Sequence, residues 1–253
     1  MLNKLIRLDI LCALLIFISV NTAQAQLTFF NMPNHDMFQD VGYSYAEYDV
    51  YQSVKNNNAV NAQVFRIMVQ PLKFMEMGTN IWFNKELPSN PDKIVLSTKW
   101  RVWLYKNEKV KLSLVPGSWT SFYFDKNIPI KNIGYAFLGF SVKHTEDIYT
   151  RLMFGAYGKY WKHAADLGQD KFTSGFIAGL EQRLSKKLVF VTDYFQGSGE
   201  GFGLATGFVF YAMNKGTNLP LYLAYQFDND SRKNDLMIGQ IGYFFRAFKK
   251  KEK

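Results

Sequence analysis

The sequence predicts an all-β protein, a single antiparallel transmembrane β-barrel of about twelve strands that follows a cleaved signal peptide. Three observations predict this fold: an N-terminal export signal, a two-residue alternation of apolar and polar side chains, and a regular alternation of short and long connections. The composition agrees, because aromatic residues make up 17% of the chain, with 23 Phe and 15 Tyr. A membrane barrel places such residues in girdles at both lipid–water interfaces.

Residues 1–25 have the three parts of a secretory signal peptide. Lys4 and Arg7 give a basic start, residues 11–20 form an apolar segment, and residues 23–25 read Ala-Gln-Ala, a small-residue cleavage site. The apolar segment is too short to span a bilayer as a helix. The single cysteine, at position 12, would leave with the signal, so we expect a mature chain from Gln26 without disulfides.

Alternation along the mature chain predicts twelve strands in one barrel domain, residues 26–248, followed by a basic tail, residues 249–253. The predicted strands cover residues 40–51, 60–70, 73–83, 93–105, 109–120, 131–142, 147–160, 171–183, 187–196, 202–213, 218–228 and 235–246.

The fourth predicted strand shows the alternation most clearly. One face carries Ile94, Leu96, Thr98, Trp100, Val102 and Leu104. The other face carries Val95, Ser97, Lys99, Arg101, Trp103 and Tyr105. The first face suits lipid and the second is largely polar, whereas a helix would mix the two sets.

Connections after even-numbered predicted strands are short, and those after odd-numbered strands are longer. The short ones are residues 71–72, 106–108, 144–146, 185–186 and 214–216, and the long ones are 52–59, 84–92, 125–130, 162–170, 197–201 and 229–234. Outer-membrane barrels have short periplasmic turns and longer external loops. This pattern predicts location in the bacterial cell outer membrane, with both termini in the periplasm.

Charged residues within the predicted strands are the candidate pore-lining set. An Arg or Lys that faces lipid at the bilayer midplane costs about 2–4 kcal/mol, so these side chains should face inward. They could pair and fill a closed lumen, or they could line a narrow water-filled pore. The candidate lumen charges are Glu47, Asp49, Lys111 and the candidate pore-lining set itself, which consists of Arg66, Glu76, Lys99, Arg101, Arg151, Lys159, Glu181, Arg183 and Asp193.

Enzymatic chemistry has little support in the sequence. Of the three histidines, His144 lies in a predicted turn with Ser141 on the opposite face, and His35 and His163 fall outside the predicted strands. Solvated loop histidines are therefore favoured over a catalytic group, and we expect no enzyme. The glycine-rich residues 197–203 lack the Lys-Ser/Thr of a phosphate-binding loop. We expect no cofactor and no metal.

From the fourth strand onward, three features carry a resemblance to a known family. They are Lys99-Trp100-Arg101-Val102 with the turn at residues 106–109, the Asp193-Tyr194 strand end before a glycine-rich loop, and residues 207–211. In these the chain resembles porin-like bacterial outer-membrane β-barrel proteins. The resemblance implies a barrel and says little about substrate.

The function expected from these observations is a porin-like passive channel for small hydrophilic solutes. The alternative is a closed barrel with a structural, adhesive or envelope-assembly role. Expected partners are outer-membrane lipid and lipopolysaccharide and, during biogenesis, periplasmic chaperones and the barrel-assembly machinery. Residues 241–245, Ile-Gly-Tyr-Phe-Phe, resemble the C-terminal signal read by that machinery, although residues 246–253 follow them. The formal charge of +9 is spread along the chain, so we expect no nucleic-acid partner.

Overall fold

The computed structural model describes residues 41–54, 62–83, 91–125, 130–161, 171–197, 203–214, 217–229 and 235–246. The expected signal peptide and the basic tail lie outside these residues. No helix in the described ranges is both long enough and apolar enough to cross a membrane.

The regular structure of the described ranges consists of thirteen β-strands. They are β1 Tyr43–Ser53, β2 Ala62–Leu72, β3 Met75–Phe83, β4 Lys93–Trp100, β5 Val102–Lys106, β6 Val110–Tyr123, β7 Lys131–Lys143, β8 Tyr149–Trp161, β9 Phe172–Ser185, β10 Leu188–Phe195, β11 Gly203–Asn214, β12 Thr217–Asp228 and β13 Leu236–Arg246.

The strands form one closed antiparallel barrel. Strands that follow each other in sequence pair, except that β4 and β5 each pair with β6 rather than with each other, and β1 pairs with β13. The β1–β13 ladder runs from Tyr43 opposite Arg246 to Ser53 opposite Leu236. Because β5 follows β4 along the same edge of β6, the two share one place in the wall. The wall therefore has twelve strand positions, and the predicted all-β antiparallel barrel of about twelve strands is confirmed.

Two details differ from the predicted strands. The fourth strand is interrupted at Arg101, whose backbone N–H donates to the carbonyl of Phe74 in the neighbouring turn at 2.8 Å. A register shift between Trp103 and Tyr105 follows the interruption. The predicted connection at residues 71–72 lies inside β2, and the turn is at residues 73–74, because a register shift after Val69 carries β2 past Pro71.

The alternation of connection lengths is confirmed. At one end of the barrel, the short-turn end, strands are joined by two to five residues: 73–74, 107–109, 144–148, 186–187 and 215–216. At the other, the long-loop end, they are joined by seven to ten residues: 54–61, 84–92, 124–130, 162–171, 196–202 and 229–235.

The outer face of the wall is apolar. In β7, Leu138 is 48% exposed between buried Phe137 and Gly139, and the same alternation continues in the other strands. A soluble monomer rarely exposes so much contiguous apolar surface, whereas hydrocarbon requires it. Exposed aromatic rings lie near both rims, as the predicted girdles require: Phe122, Phe124, Tyr160 and Phe172 at the long-loop end, and Phe74, Trp100 and Tyr105 at the short-turn end.

Glycines on the inner face allow the neighbouring strand to approach closely. Gly117 lies opposite Tyr135, and a Cβ at Gly117 would overlap the phenol ring. Gly155 lies opposite Phe137, and a Cβ there would overlap the backbone of β7. Such aromatic–glycine pairs hold neighbouring strands in register.

Candidate functional site: the barrel lumen

The inner face of the barrel carries the chain's buried ionic groups. Every second residue of each strand points inward, which is why the polar half of each alternating run comes together inside the closed wall. Ion pairs lie in the middle of the lumen and toward the short-turn end, and aromatic rings with lysines lie toward the long-loop end.

The first ionic cluster joins β1 and β2. The Arg66 guanidinium lies 2.7 Å from Glu47 Oε1 and 3.2 Å from Asp49 Oδ2, and both carboxylates are buried. The Tyr45 hydroxyl donates to Glu47 and lies 3.4 Å from the hydroxyl of Tyr222, which belongs to β12. Two acids thus share one arginine, in a pocket closed by tyrosines.

The second ionic cluster joins β8 and β9. Arg151 Nη1 donates to Glu181 Oε1 at 2.7 Å, and the Tyr149 hydroxyl donates to the same carboxylate. The Arg151 guanidinium lies 3.8 Å from the centre of the Tyr149 ring. Arg183 extends the cluster toward β11, with its guanidinium 5.5 Å from the centre of the Tyr211 ring.

The third ion pair joins β3 and β4. Lys99 Nζ lies 3.0 Å from Glu76 Oε1, and both side chains are buried. Lys99 is the Cα partner of Glu76 and also of Gly117 in β6, over which the Tyr135 ring lies. A charged pair is therefore packed against an aromatic wall.

The other predicted site residues occupy different places. Arg101 and Arg183 lie at the short-turn rim, where their guanidinium groups donate to backbone carbonyls of Lys73 and of Ser185 and Lys186. Lys159, in β8, and Asp193, in β10, are buried inner-face residues nearer the long-loop end. Among the predicted residues, the structure thus brings together Glu76 with Lys99 and Arg151 with Glu181 as cross-strand pairs, and it does not gather the nine into one ring.

An aromatic layer crosses the lumen in its long-loop half. The Trp119 ring of β6 lies 5.0 Å from that of Tyr135 and 6.2 Å from that of Phe195, in β10. Phe195 also lies 4.5 Å from the ring of Tyr157 in β8. Because β6 and β10 are four places apart around the barrel, these contacts span its interior and narrow it.

The tyrosines of the ionic clusters were not among the predicted site residues. Tyr45, Tyr149, Tyr211 and Tyr222 all occupy inward positions of their strands. Their parity alone marks them as inward, but a hydroxyl group carries no charge, so these tyrosines do not belong to a set defined by charged residues. Among the histidines, His144 lies in a turn with its Nε2 2.7 Å from the Thr150 hydroxyl, while His35 and His163 lie outside the described residues.

Comparison with known proteins gives likenesses of shape only. No family model matches the chain, and no curated protein is similar in sequence. Among solved structures, the KdgM porin in complex with disordered oligogalacturonate is 9% identical, over 80% of this chain and 98% of that one, with a TM-score of 0.47. The CymD monoaromatic hydrocarbon channel is 11% identical over 84% and 90%, with a TM-score of 0.37.

A toluene transporter of Ralstonia pickettii, TbuX, is 10% identical over 82% of this chain and 90% of that one, with a TM-score of 0.36. These TM-scores all lie below 0.5, so the barrel assignment rests on the strand pairing of this chain and not on its neighbours.

Proposed function

We propose that this protein is a barrel of the bacterial outer membrane through which small hydrophilic solutes pass passively. The observation that carries the proposal is the contrast between the two faces of one closed wall, with apolar side chains outside and ionic and hydroxyl groups inside. The outer face fits hydrocarbon, and the inner face offers hydrogen-bonding groups to water and solutes. The long-loop end would face outward and the short-turn end the periplasm.

Nine side chains are proposed to line the permeation path. Arg101 and Arg183 would form its periplasmic mouth, since both lie at the short-turn rim. The others would form the wall: Arg66, Glu76, Lys99, Arg151, Lys159, Glu181 and Asp193. Because both signs are present and largely paired, the field in the path would be set by small imbalances between neighbouring charges.

Export and membrane insertion are part of the same proposal. The mature chain would begin at Gln26 and reside in the outer-membrane fraction, with lipid and lipopolysaccharide around the apolar outer face. N-terminal sequencing of the protein from fractionated envelopes tests both statements. Recovery as a soluble periplasmic protein would contradict them.

A closed barrel is the second candidate, and the aromatic layer favours it. The Trp119–Phe195 contact crosses the lumen, and the buried ion pairs fill space that a solute would need. Such a barrel would act through its loops as a structural, adhesive or envelope-assembly component.

Planar-bilayer recording separates the two candidates. The purified protein should give stepwise conductance increments on insertion if the lumen is a path for ions and small solutes. Insertion must be checked independently, by protease protection in vesicles, because absent steps are informative only for an inserted barrel. An inserted barrel that never conducts would contradict the channel and favour the closed barrel.

A double substitution tests the lining residues. Lys99→Gln with Arg101→Gln removes two positive charges from one stretch of wall, so the reversal potential in a salt gradient should shift toward cation preference. The charge-matched control is Lys171→Gln with Lys187→Gln, two exposed lysines of the connections, which should leave selectivity unchanged. If a conducting Lys99/Arg101 variant keeps its selectivity, these residues do not line the path.

A further inference from the structure

Lysines and aromatic rings share one wall of the lumen near the long-loop end. We call inward residues that are Cα partners across neighbouring strands a row. In the row nearest the long-loop end, Lys93 is the Cα partner of both Trp82 and Tyr123. In the next row, Lys131 is the partner of Trp161. We call these residues, together with Lys159 one row deeper, the lysine–aromatic wall; it consists of Trp82, Lys93, Tyr123, Lys131, Lys159 and Trp161.

The rings hold the lysines in place. Lys93 Nζ lies 4.2 Å from the centre of the Trp82 ring and 5.9 Å from that of Tyr123, and Lys131 Nζ lies 5.6 Å from that of Trp161. These distances are within the range of cation–π attraction. An ammonium that is already held loses little side-chain entropy when it meets an anion, so the wall is preorganised for binding.

Apolar ring surface lies just below the lysines. Trp119 follows Lys131 and Trp161 by one row, and its ring packs against those of Tyr135 and Phe195. Most of the lysine–aromatic wall is half-buried rather than sealed, since only Lys159 counts among its buried residues. A solute there meets positive charge and flat aromatic surface together.

The opposite side of the same half of the barrel is acidic. Asp193 lies in β10, Asp228 ends β12, and Asp235 directly precedes β13, and all three are buried. The lysine–aromatic wall lies on β3, β4, β6, β7 and β8. Asp193 and Asp228 occupy inward positions of their strands, whereas Asp235 accepts hydrogen bonds from the Asp228 N–H and from the hydroxyl of Tyr225, which has outward parity. The inward acids Asp193 and Asp228 thus lie on strands other than those of the lysine–aromatic wall, so a small anion is drawn to the lysine side.

We propose that the lysine–aromatic wall is a binding site for small aromatic carboxylates. The ammonium groups of Lys93 and Lys131 pair with the carboxylate, and the neighbouring rings stack on its flat face. The assignment deepens the proposed function, since it names a solute class for the lumen. Passage of the aromatic carboxylate through the barrel depends on the proposed channel function. Binding at the long-loop mouth does not, because it requires no open path to the short-turn end.

Calorimetric titration of the wild-type barrel in detergent micelles with three probes tests the chemistry. Benzoate combines charge with an aromatic ring, acetate has the charge alone, and benzyl alcohol has the ring alone. We expect saturable benzoate binding with a dissociation constant at least roughly tenfold below that of either other probe. No saturable benzoate binding, or equal binding of acetate, would overturn the proposal.

Glucuronate separates aromatic carboxylates from sugar acids. It has a ring and a carboxylate but presents hydroxyl groups where benzoate presents an aromatic face, so it should bind more weakly than benzoate. Tighter binding of glucuronate would overturn the aromatic assignment. Because all four probes are measured on the wild-type protein, this series does not depend on the folding of any variant.

Paired substitutions test whether benzoate binds at the lysine–aromatic wall. Lys93→Gln with Lys131→Gln should raise the dissociation constant of benzoate at least roughly tenfold, the loss expected when charge-assisted contacts are removed. The control, Lys143→Gln with Lys187→Gln, removes two exposed lysines at the short-turn end and should change nothing. Equal losses in the two variants would overturn the location. A barrel that binds benzoate but does not conduct would contradict the channel and leave this site standing.

Discussion

Arg151 and Glu181 show how a single buried residue depends on its partner. Both side chains are almost fully buried, and they meet as direct cross-strand partners of β8 and β9. Removing one member of such a pair leaves a buried charge without its counter-ion, which is far more costly than losing a pair in water. The stability of the lumen wall therefore depends on complete pairs.

The first prediction compares a buried with an exposed pair. Arg151→Gln should lower the free energy of unfolding by about 3–5 kcal/mol, because Glu181 stays buried without its arginine. Lys186→Gln removes one member of the Lys186–Asp147 pair, whose side chains are 67% and 39% exposed. That control should change stability by less than about 1 kcal/mol. Reversible urea unfolding in lipid vesicles measures both, and equal losses would refute the buried-pair account.

The second prediction concerns two glycines on opposite faces. Gly155→Ala should impair assembly, because the new methyl group would overlap the backbone of Phe137 and Ala136, which cannot give way. Gly134→Ala, on the outer face of β7, meets no atom within 4 Å and should be tolerated. The fraction of heat-modifiable folded barrel on gels measures assembly. Equal yields of the two variants would show that β7 and β8 are not in this register.

At the scale of single strands, the break at Arg101 changes where an outer-face substitution matters. Val102 is exposed on the outer face, as the alternation predicts, but it belongs to β5 and lies near the short-turn rim. Leu138 lies midway along β7. The cost of a charge on the lipid face falls from the midplane toward the interfaces.

The third prediction follows from this difference in depth. Leu138→Arg should make folding into bilayers less favourable by about 2–4 kcal/mol, and Val102→Arg by about 0–1 kcal/mol. Arg101→Gln, at the rim and next to Val102 in sequence, is the control and should fold normally. Folding titrations into lipid vesicles measure all three. A Val102→Arg variant as damaged as Leu138→Arg would place β5 deep in the membrane.

The strand boundaries could be read closely from the sequence, but the interruption in the fourth strand could not. Alternation continues in phase through Lys99, Arg101 and Trp103, so nothing local marks a break. The break arises from a neighbour, because the Arg101 N–H is bonded to the carbonyl of Phe74 in the turn between β2 and β3. A contact between separate hairpins has no local sequence signature.

For the whole molecule, closure is decided by the pairing of β4 with β6. Leu96 and Thr120 are direct Cα partners in that ladder. The chain's only cysteine is at position 12, so the expected mature form offers a background without thiols. A cross-link across β4 and β6 can therefore report on the closed wall directly.

The fourth prediction uses that background. Leu96→Cys with Thr120→Cys should form a disulfide in the folded barrel under mild oxidation, since partner residues in a ladder are within bonding reach. Leu96→Cys with Leu204→Cys is the control, because Leu204 lies in β11 and does not neighbour β4. Non-reducing mass spectrometry detects the link. Absence of the first link in folded protein would show that the wall does not close as described.

The sequence by itself determined which way each side chain points. A strand repeats every two residues whatever its neighbours, so Lys99 could be assigned to the inside and Trp100 to the outside without a structure. The lengths of the connections could also be read from the sequence, because each connection lies between two alternating segments.

Only the tertiary structure decided which inward groups meet. Each of the three main ion pairs joins two strands that are connected by a long loop, and a long loop does not fix the pairing register of its strands. The pairs are Arg66 with Glu47, Lys99 with Glu76, and Arg151 with Glu181. The Trp119–Phe195 contact requires the wall to close around it. Pairing register and closure are properties of the whole barrel, because each depends on residues far apart in the chain.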